Sequence, residues 1–474
     1  MSERKDLLFE LGTEEIPARF LPPAVKQMRQ LAIEGLKELA LDYNDLKVFT
    51  TPRRLVLAVY GLAAKQEDLV TEQKGPAKKA AYDAEGKPTR ALEGFCKGQG
   101  VTPAELTEKE INGNSYLYAQ KSKKGQSAQE VLPAFCADLI NKIYFPKPMR
   151  WGYQEMRFAR PVRWLILLFG DEVLDLTLAD VKAGRLSRGH RVLGSQAVEI
   201  QNLASYEDAL YKNYVIVDQA KRKEVIREQV SAVAKAEGGL PINDEELLDE
   251  VTYILEWPTA LAGSFEEKYL QIPAELIITP MREYQRYFPV HAADGKLLPR
   301  FITVRNGDDK GLELVREGNE KVLRARLADA EFFWNEDLKL NLVETAKKLS
   351  SVVYQEQLGD MAHRLARMQK LAALVGDKLA YTDIEQAQTA RAAAICKSDL
   401  LSRAVFEFTE LQGVMGEYYA QAAGEEPQVA AAVREHYLPR FAGDELPATK
   451  AGIALAIAER LDSLAGFFAI GLKP

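Results

Sequence analysis

The sequence predicts a multi-domain α+β protein, with mixed α/β modules at the N-terminus and in the middle followed by an all-α region. Three observations carry that prediction. The chain has 474 residues; single hydrophobic cores stop growing at roughly 250–300 residues, and a prior of about 150 residues per domain gives about three domains. The opening reads β-α-β-β. After about Leu312 the chain becomes almost wholly helix-forming, with heptad-like apolar spacing and much alanine.

Taken in order, Asp6 to Leu11 is apolar enough for a short buried strand, and Gly12 turns the chain. A helix is predicted from about Glu14 to Leu41, its first turns broken by Pro17, Pro22 and Pro23. Lys47 to Thr50 and Arg54 to Leu62 are β-branched and apolar and read as strands. Residues 63–90, rich in Lys, Ala, Gly and Pro, read as a loop. Short helices are expected at Thr89 to Gly98 and Thr102 to Leu106, a strand at Ser115 to Gln120 and an amphipathic helix at Ser127 to Ile143. FPKPMRWG (145–152) is broken by its prolines, and Phe158 to Val181 alternates strands with turns. Helices follow at Val215 to Glu237, stopped by Gly238-Gly239, and at Glu245 to Leu255. Residues 258–305 return to strand and turn. The helical part comprises Leu342 to Val375, Asp383 to Leu400, Phe406 to Gln421, Pro427 to Tyr437 and Thr449 to Phe468. The expected division is 1–65, an N-terminal α+β segment; 66–150, an inserted, mostly helical module; 151–330, a mixed region; and 331–474, helical.

A hydrophobic content of 47% and a charged content of 28% are those of an ordinary soluble globular chain. The net charge of −7 excludes a simple basic nucleic-acid coat, so contact with nucleic acid would need local basic patches on an acidic body. Cys96, Cys136 and Cys396 match no zinc or disulfide spacing, which fits a reducing cytosol. The first residues lack the apolar core of a signal peptide. No apolar run approaches the roughly 20 residues that cross a bilayer. A cytoplasmic location without membrane or DNA partners is expected.

Four features could carry chemistry. The arginine-rich turns TPRRL (51–55), FPKPMRW (145–151), RFARPVRW (157–164) and RLSRGHR (185–191) offer Arg53, Arg54, Lys147, Arg150, Arg160, Arg163, Arg188, His190 and Arg191. Guanidinium forks suit phosphate, and neighbouring aromatics can stack on unpaired bases. Equally, each arginine could pair with a carboxylate or cover a strand edge. MREYQRYFPV (281–290), with Arg282 and Arg286 among Tyr284, Tyr287 and Phe288, reads either as a stacking platform or as one buried helix face. Lys321, Arg324 and Arg326 lie on a helix that could touch a phosphate backbone or act as an amphipathic connector. His363, Asp399, His436 and Asp462 lie on separate helices; converging in a bundle, they could hold a metal for phosphate-ester hydrolysis. The sequence contains no GxxxxGK[ST] loop, GxGxxG turn, GxSxG elbow or CxxC pair, and no HIGH-like or KMSKS-like stretch, so no ATP-using centre is visible.

Long stretches resemble one family. DLLFELGTEEIPARFLPPA (6–24), TPRRLVL (51–57), KGPAKKAAYD (74–83), FPKPMRWG (145–152), FARPVRWL (158–165) and SRGHRVLG (187–194) are similar to bacterial glycyl-tRNA synthetase β subunits. So are ITPMREYQRYFPV (278–290), VRNGD (304–308), GNEKVLRARLADAEFFWNED (318–337), FTELQGVMGEYYA (408–420), EHYLPRFAGDELP (435–447) and AERLDSLAGFFAIGLKP (458–474). The resemblance implies a glycine–tRNA ligase of α2β2 type. Its separate α subunit makes glycyl-adenylate with ATP and Mg, while the β subunit binds tRNA-Gly and by itself is inactive. It also implies B3/B4-like modules in the middle and an HD-type helical domain, with a further anticodon-binding domain following GLKP in the family. Residue by residue, the first HD metal position would fall on Gln355 or His363. The histidine-aspartate doublet falls on Ser398-Asp399, and the late aspartate on Asp462. The lost histidine leads to the expectation of no bound metal and no cofactor on this chain. An HD-type nucleotide phosphohydrolase and a non-catalytic assembly module stand as alternatives.

Overall fold

The structure, a computed structural model, describes residues 3–66, 69–83, 86–111 and 114–472. The chain forms two compact units. The first comprises Met1–Arg227, Leu248–Thr259 and Arg305–Asp308; the second comprises Glu228–Leu247, Ala260–Val304 and Asp309–Pro474.

The first unit is built on β1 (Arg4–Thr13), α1 (Leu21–Glu38), β2 (Asp45–Thr51) and β3 (Arg54–Ala63). Then come β4 (Leu69–Ala77), α2 (Lys78–Ala81), α3 (Arg90–Gln99), β5 (Thr107–Ile111), β6 (Asn114–Lys123) and α4 (Ala128–Lys142). The unit continues with β7 (Val162–Phe169), β8 (Glu172–Val173), α5 (Leu203–Tyr211) and the first part of α6 (Gln219–Ala236). Strands β2-β3-β1-β7-β8 make an antiparallel sheet covered on both faces. Side chains alternate across a strand. Leu7, Phe9 and Leu11 of β1 join the core containing Met28, Leu36, Leu132 and Leu139 of α1 and α4. Leu8 instead joins Val56, Ile166, Leu168, Tyr206 and Leu210 beneath α5. Two buried faces explain why DLLFEL and VRWLILLF are nearly continuous apolar runs rather than alternating ones.

The predicted strands and the helices α4 and α6 are present with ends close to those expected. Four expectations are corrected. The first long helix begins at Leu21 rather than Glu14. Pro22 and Pro23 sit in its first turn, where a missing N–H removes no intrahelical bond, so they start the helix instead of breaking it. The stretch 63–90, expected as a loop, contains β4 and α2. Its polar strand TEQK pairs with β6 through Thr71↔Lys121, Gln73↔Ala119 and Lys74↔Tyr118. Thr102 to Leu106 is a three-residue 3-10 turn, Pro103–Glu105, which leads into β5.

In the second unit, Leu240–Pro241, Phe288–His291, Leu297–Asn306 and Pro258–Ser264 line up in that order as a four-stranded sheet. Helices Leu312–Asp337, Met361–Lys378, Asp383–Ile395, Val414–Ala422, Pro427–Glu435 and Lys450–Ala469 follow. Their buried faces share one core, from Leu323 and Leu327 through Met368, Ala392 and Met415 to Val433 and Leu455. The fourth correction is that two predicted helices are interrupted. Within Leu342 to Val375, the β-branched Val352-Val353 run opens a hairpin, Val353–Gln355 with Gly359–Asp360. Within Phe406 to Gln421, Gly413 takes φ +81°, a left-handed conformation that a helix cannot contain and that glycine accepts without strain.

Candidate nucleic-acid interface

From Leu8 to Gly12 of β1, Arg54 to Ala58 of β3 and Trp164 to Leu168 of β7, the even-numbered side chains point to the α5 side of the sheet, and at its end this row changes from apolar to charged. The register sets Gly12 opposite both Arg54 and Trp164, and Glu10 opposite Val56 and Ile166. Glu10 and Arg54 are fully buried, and Trp164 is 6% exposed. Glu10 accepts hydrogen bonds from Trp164 Nε1 at 2.6 Å and from Ser187 Oγ at 2.8 Å, and its carboxylate lies 3.6 Å from Arg54 Nη1. On its other side, Arg54 donates to Glu256 at 3.0 Å, to Thr51 Oγ1 at 3.1 Å and to the carbonyl of Arg188 at 2.9 Å. Arg53 Nη1 lies 3.6 Å from Glu256. Burial pushes the Glu256 carboxyl up, but the charges of Arg54 and Arg53 and the Thr51 hydroxyl outweigh it and hold the group below its usual range. The pairs of Glu256 with Arg53 and Arg54 therefore stay ionised.

The indole of Trp164 organises the cluster. Arg188, Arg53 and Arg54 place their guanidinium carbons 5.0, 5.4 and 5.5 Å from its ring centroid, within cation–π range. Gly12 makes this possible: a Cβ there would stand 1.9 Å from Trp164 Cδ2. His190 is 2% exposed, and its Nδ1 accepts the backbone N–H groups of Val192 and Leu193 at 3.3 and 3.2 Å, which fixes the SRGHR turn.

This frame holds an exposed basic layer. Arg163 donates to Glu14 at 2.7 Å and Arg191 to the same carboxylate at 3.1 Å; the two arginines remain 49% and 54% exposed. Burial pushes the Glu14 pKa up, but the Arg163 hydrogen bond and the charges of Arg163, Arg191 and Arg53 together outweigh it and lower the pKa overall. Arg188 Nη2 reaches the carbonyl of Arg163 at 3.5 Å, and Arg160 caps the carbonyl of Ala159 at 2.8 Å. Lys147 is exposed, and Arg150 is 53% exposed, 3.6 Å from Glu155. Three of the four predicted turns, TPRR, RFARPVRW and SRGHR, thus meet around Trp164. Three residues proposed for phosphate contact prove to be interior, and the first, Arg53, is 5% exposed and faces Glu256. Arg54 is sealed off, and His190 spends its accepting nitrogen on its own turn. The buried guanidinium groups face Glu256, and the imidazole holds its own turn.

The sequence reading missed Glu10, Ser187, Glu256 and Arg222. Arg222 is fully buried and donates to the carbonyls of Thr252 at 2.9 Å and Thr50 at 3.0 Å, its pKa lowered to about 10 by burial. A signal existed only for Glu10, a carboxylate inside an otherwise apolar strand.

In the second unit, MREYQRYFPV divides. Tyr287 is 2% exposed and stacks on Phe301 at 4.6 Å, while Tyr284 is 43% exposed, packed edge-on against Phe408. Arg282 is held by Asp244, Glu246 and Glu283, and its hydrogen bond to Asp244 raises its pKa. Arg286, at φ +58°, folds back onto the carbonyl of Glu283. Arg326 lies 5.8 Å from the Tyr284 ring centroid and 3.6 Å from Glu407, Arg324 stands 3.6 Å from Glu266, and Lys321 is exposed.

The four scattered His and Asp residues have separate partners. Asp360 caps the helix bearing His363, accepting its N–H at 2.9 Å. Asp462 faces Arg367 and Arg364. Asp399 is 1% exposed, accepts the Gly413 N–H at 2.6 Å, and is pushed up by burial to about 6. His436 is fully buried, 3.5 Å from Glu459, and pushed down to about 3 by burial and the charge of Lys397. Lys397 and Arg364 donate to the same Glu459, each at 2.9 Å. Among the described residues, no group of three or more His, Cys, Asp or Glu is placed to hold a metal ion.

A family model described as glycyl-tRNA synthetase beta subunit matches residues 7–474. Relatives named glycine–tRNA ligase beta subunit include that of Desulfitobacterium hafniense (strain Y51), 49% identical over 470 residues, covering 99% of this chain and 68% of the relative. The relative from Moorella thermoacetica is 47% identical over 470 residues with the same coverages, and that of Bacillus subtilis (strain 168) is 46% identical over 472 residues, covering 99% and 69%. At that identity and coverage, the chain with its Trp164-centred arginine cluster belongs to the glycyl-tRNA synthetase beta subunit family.

Proposed function

We propose that this chain is the tRNA-binding β subunit of a glycine–tRNA ligase, and that a separate α subunit carries out the adenylate chemistry with ATP and Mg in a cytoplasmic α2β2 assembly. The observation that carries the reading is the convergence of Arg163, Arg188 and Arg191 on one rigid frame, with Arg160 on the same strand-and-turn segment. Guanidinium groups held by a buried network lose little freedom on meeting a phosphate, and their planar forks match its oxygens. The carboxylate of Glu14 bridges Arg163 and Arg191 when RNA is absent, keeping two cations close together; a phosphate would take over that bridging position. In the same reading, the middle of the chain is B3/B4-like and the helical part HD-type. The partner engagement of Asp399 and Asp462 favours scaffold over hydrolysis.

Phosphate-dominated binding releases counterions and falls steeply with salt. Filter binding of tRNA-Gly to the chain is expected to weaken by at least about tenfold between roughly 50 and 200 mM salt. Affinity indifferent to salt would remove phosphate contact as its basis.

A further inference from the structure

Part of the stretch read as a loop from sequence, β4, joins β6 and β5 in a surface to which the tRNA reading gives no role. Strands β4, β6 and β5 make a three-stranded antiparallel sheet, order β4-β6-β5. Its two faces differ sharply. Leu117 is 5% exposed and packs with Ala81, Leu92 and Cys96 of α2 and α3, and Ala119 is fully buried. Tyr116 and Tyr118 alternate with these residues and therefore occupy the opposite face. The register brings Lys74 opposite Tyr118 and Lys109 opposite Tyr116 on that same face. Both lysines are exposed and both tyrosines half-buried; Lys74 Nζ lies 3.6 Å from the Tyr116 ring centroid, and Lys109 Nζ lies 5.6 Å from that of Tyr118. Gln120 completes the row and donates to Glu72 at 3.1 Å.

We infer that this face is a platform for unpaired nucleotides of RNA, an inference that rests on the reading of the chain as a tRNA-binding subunit. Two aromatic rings two residues apart on one strand stand about 7 Å apart, each presenting a flat face to a base. Sheets that bind single-stranded RNA use aromatics in this way, and base–aromatic stacking tolerates any sequence. Lys74 lies on the Tyr116 ring while no nucleic acid is bound, and its flexible stem lets the ammonium group swing to a phosphate as a base takes its place, while Lys109 stays paired with Glu72. A protein partner fits less well, because the aliphatic side chains of β6, Leu117 and Ala119, point inward, and the outer face offers rings, cations and an amide. Glu72 opposes the binding of phosphate but is neutralised by Lys109.

The test uses the full chain and a fluorescein-labelled single-stranded RNA dodecamer without self-complementarity, with a duplex of the same composition as competitor. Tyr116→Ala with Tyr118→Ala should weaken dodecamer binding by at least about tenfold, while the Phe pair, which keeps the rings, should stay within about threefold of the parent. Glu72→Gln should tighten binding by about two- to threefold. The inference is overturned if the Ala pair binds like the parent, if the Phe pair fails as badly as the Ala pair, if the duplex competes as well as the single strand, or if the Ala pair loses only its association with a partner protein. Loss of tRNA affinity in Arg188→Ala with Arg191→Ala, alongside an unaffected tyrosine pair, would remove the platform and leave the tRNA reading standing. Salt-indifferent tRNA binding by the parent chain would remove that reading, and with it the inference.

Discussion

Each unit buries a cluster of charges, and the two clusters deal with the loss of water differently. In the first unit, Arg54 lies between two carboxylates, and each carboxylate also accepts hydroxyl or indole hydrogen bonds. Glu256 is driven further toward its ionised form, while burial lowers Arg53. In the second unit, Glu459 gathers Arg364, Lys397 and His436 and, like Glu256, is held below its usual range by the charges around it, but its neighbours shift toward neutrality: Asp399 rises to about 6, His436 falls to about 3, and burial lowers Lys397. A buried charge survives when paired on all sides and otherwise moves its pKa. The first cluster is therefore suited to holding arginines rigidly at a surface, and the second makes the helical unit sensitive to pH.

The largest effect should come from breaking the first cluster. Glu256→Ala leaves Arg54 buried with half its countercharge, and removing one partner of a buried pair costs about 3–5 kcal/mol. Urea unfolding followed by near-ultraviolet circular dichroism should show that loss; an unchanged midpoint would mean the pair is dispensable.

The second cluster should respond to pH. The folded value of Asp399 lies above its ordinary 3.8, so the stability tied to this group is full below about pH 4, is lost as pH rises through about 6, and is constant above that. The loss is on the order of 3 kcal/mol. Asp399→Asn still accepts the Gly413 N–H and should be more stable than the parent at pH 8, with the gain vanishing near pH 4. His436 works the other way: its stability is complete above pH 6.5 and is lost as pH falls toward 3. Unfolding curves between pH 4 and 8 separate the two, and a pH-independent difference between Asp399→Asn and the parent would contradict the assignment.

Gly12→Ala should have a smaller effect, about 1–3 kcal/mol, because the added methyl displaces the indole without removing a charge. A shifted tryptophan emission together with weakened tRNA binding would show that the ring sets the arginine layer. Smallest for stability is Arg163→Ala, an exposed change expected to stay within about 0.5 kcal/mol in unfolding while still lowering tRNA affinity.

How much of this was legible in the sequence depends on how locally each feature is encoded. β1, β3 and β7 announce themselves because both faces are buried, and α4 because Ser127 and Glu130 form a capping box at its start. β4 was missed because Thr71 to Lys74 carries no apolar pattern and its partner β6 lies after an intervening module. The arginine turns were visible as composition. Their sorting into frame and surface was not, since Arg54 finds Glu256 across 202 positions and Ser187 finds Glu10 across 177. The candidate metal residues each have other partners, Asp360 beside His363 but Arg367, 95 positions away, for Asp462, and the distant pairings carry no mark in the sequence.

Arg163, Arg188 and Arg191 are proposed to meet phosphate from a frame that remains intact without them. The most direct measurement is the salt dependence of tRNA-Gly affinity for the parent and for the triple alanine variant, taken on samples with matching unfolding midpoints. The triple variant should bind more weakly, with a logarithmic salt slope reduced by about 0.7–0.9 for each phosphate it no longer neutralises, so by about 2–3 in all. An unchanged slope and affinity in a folded triple variant would contradict the assignment of these arginines to phosphate.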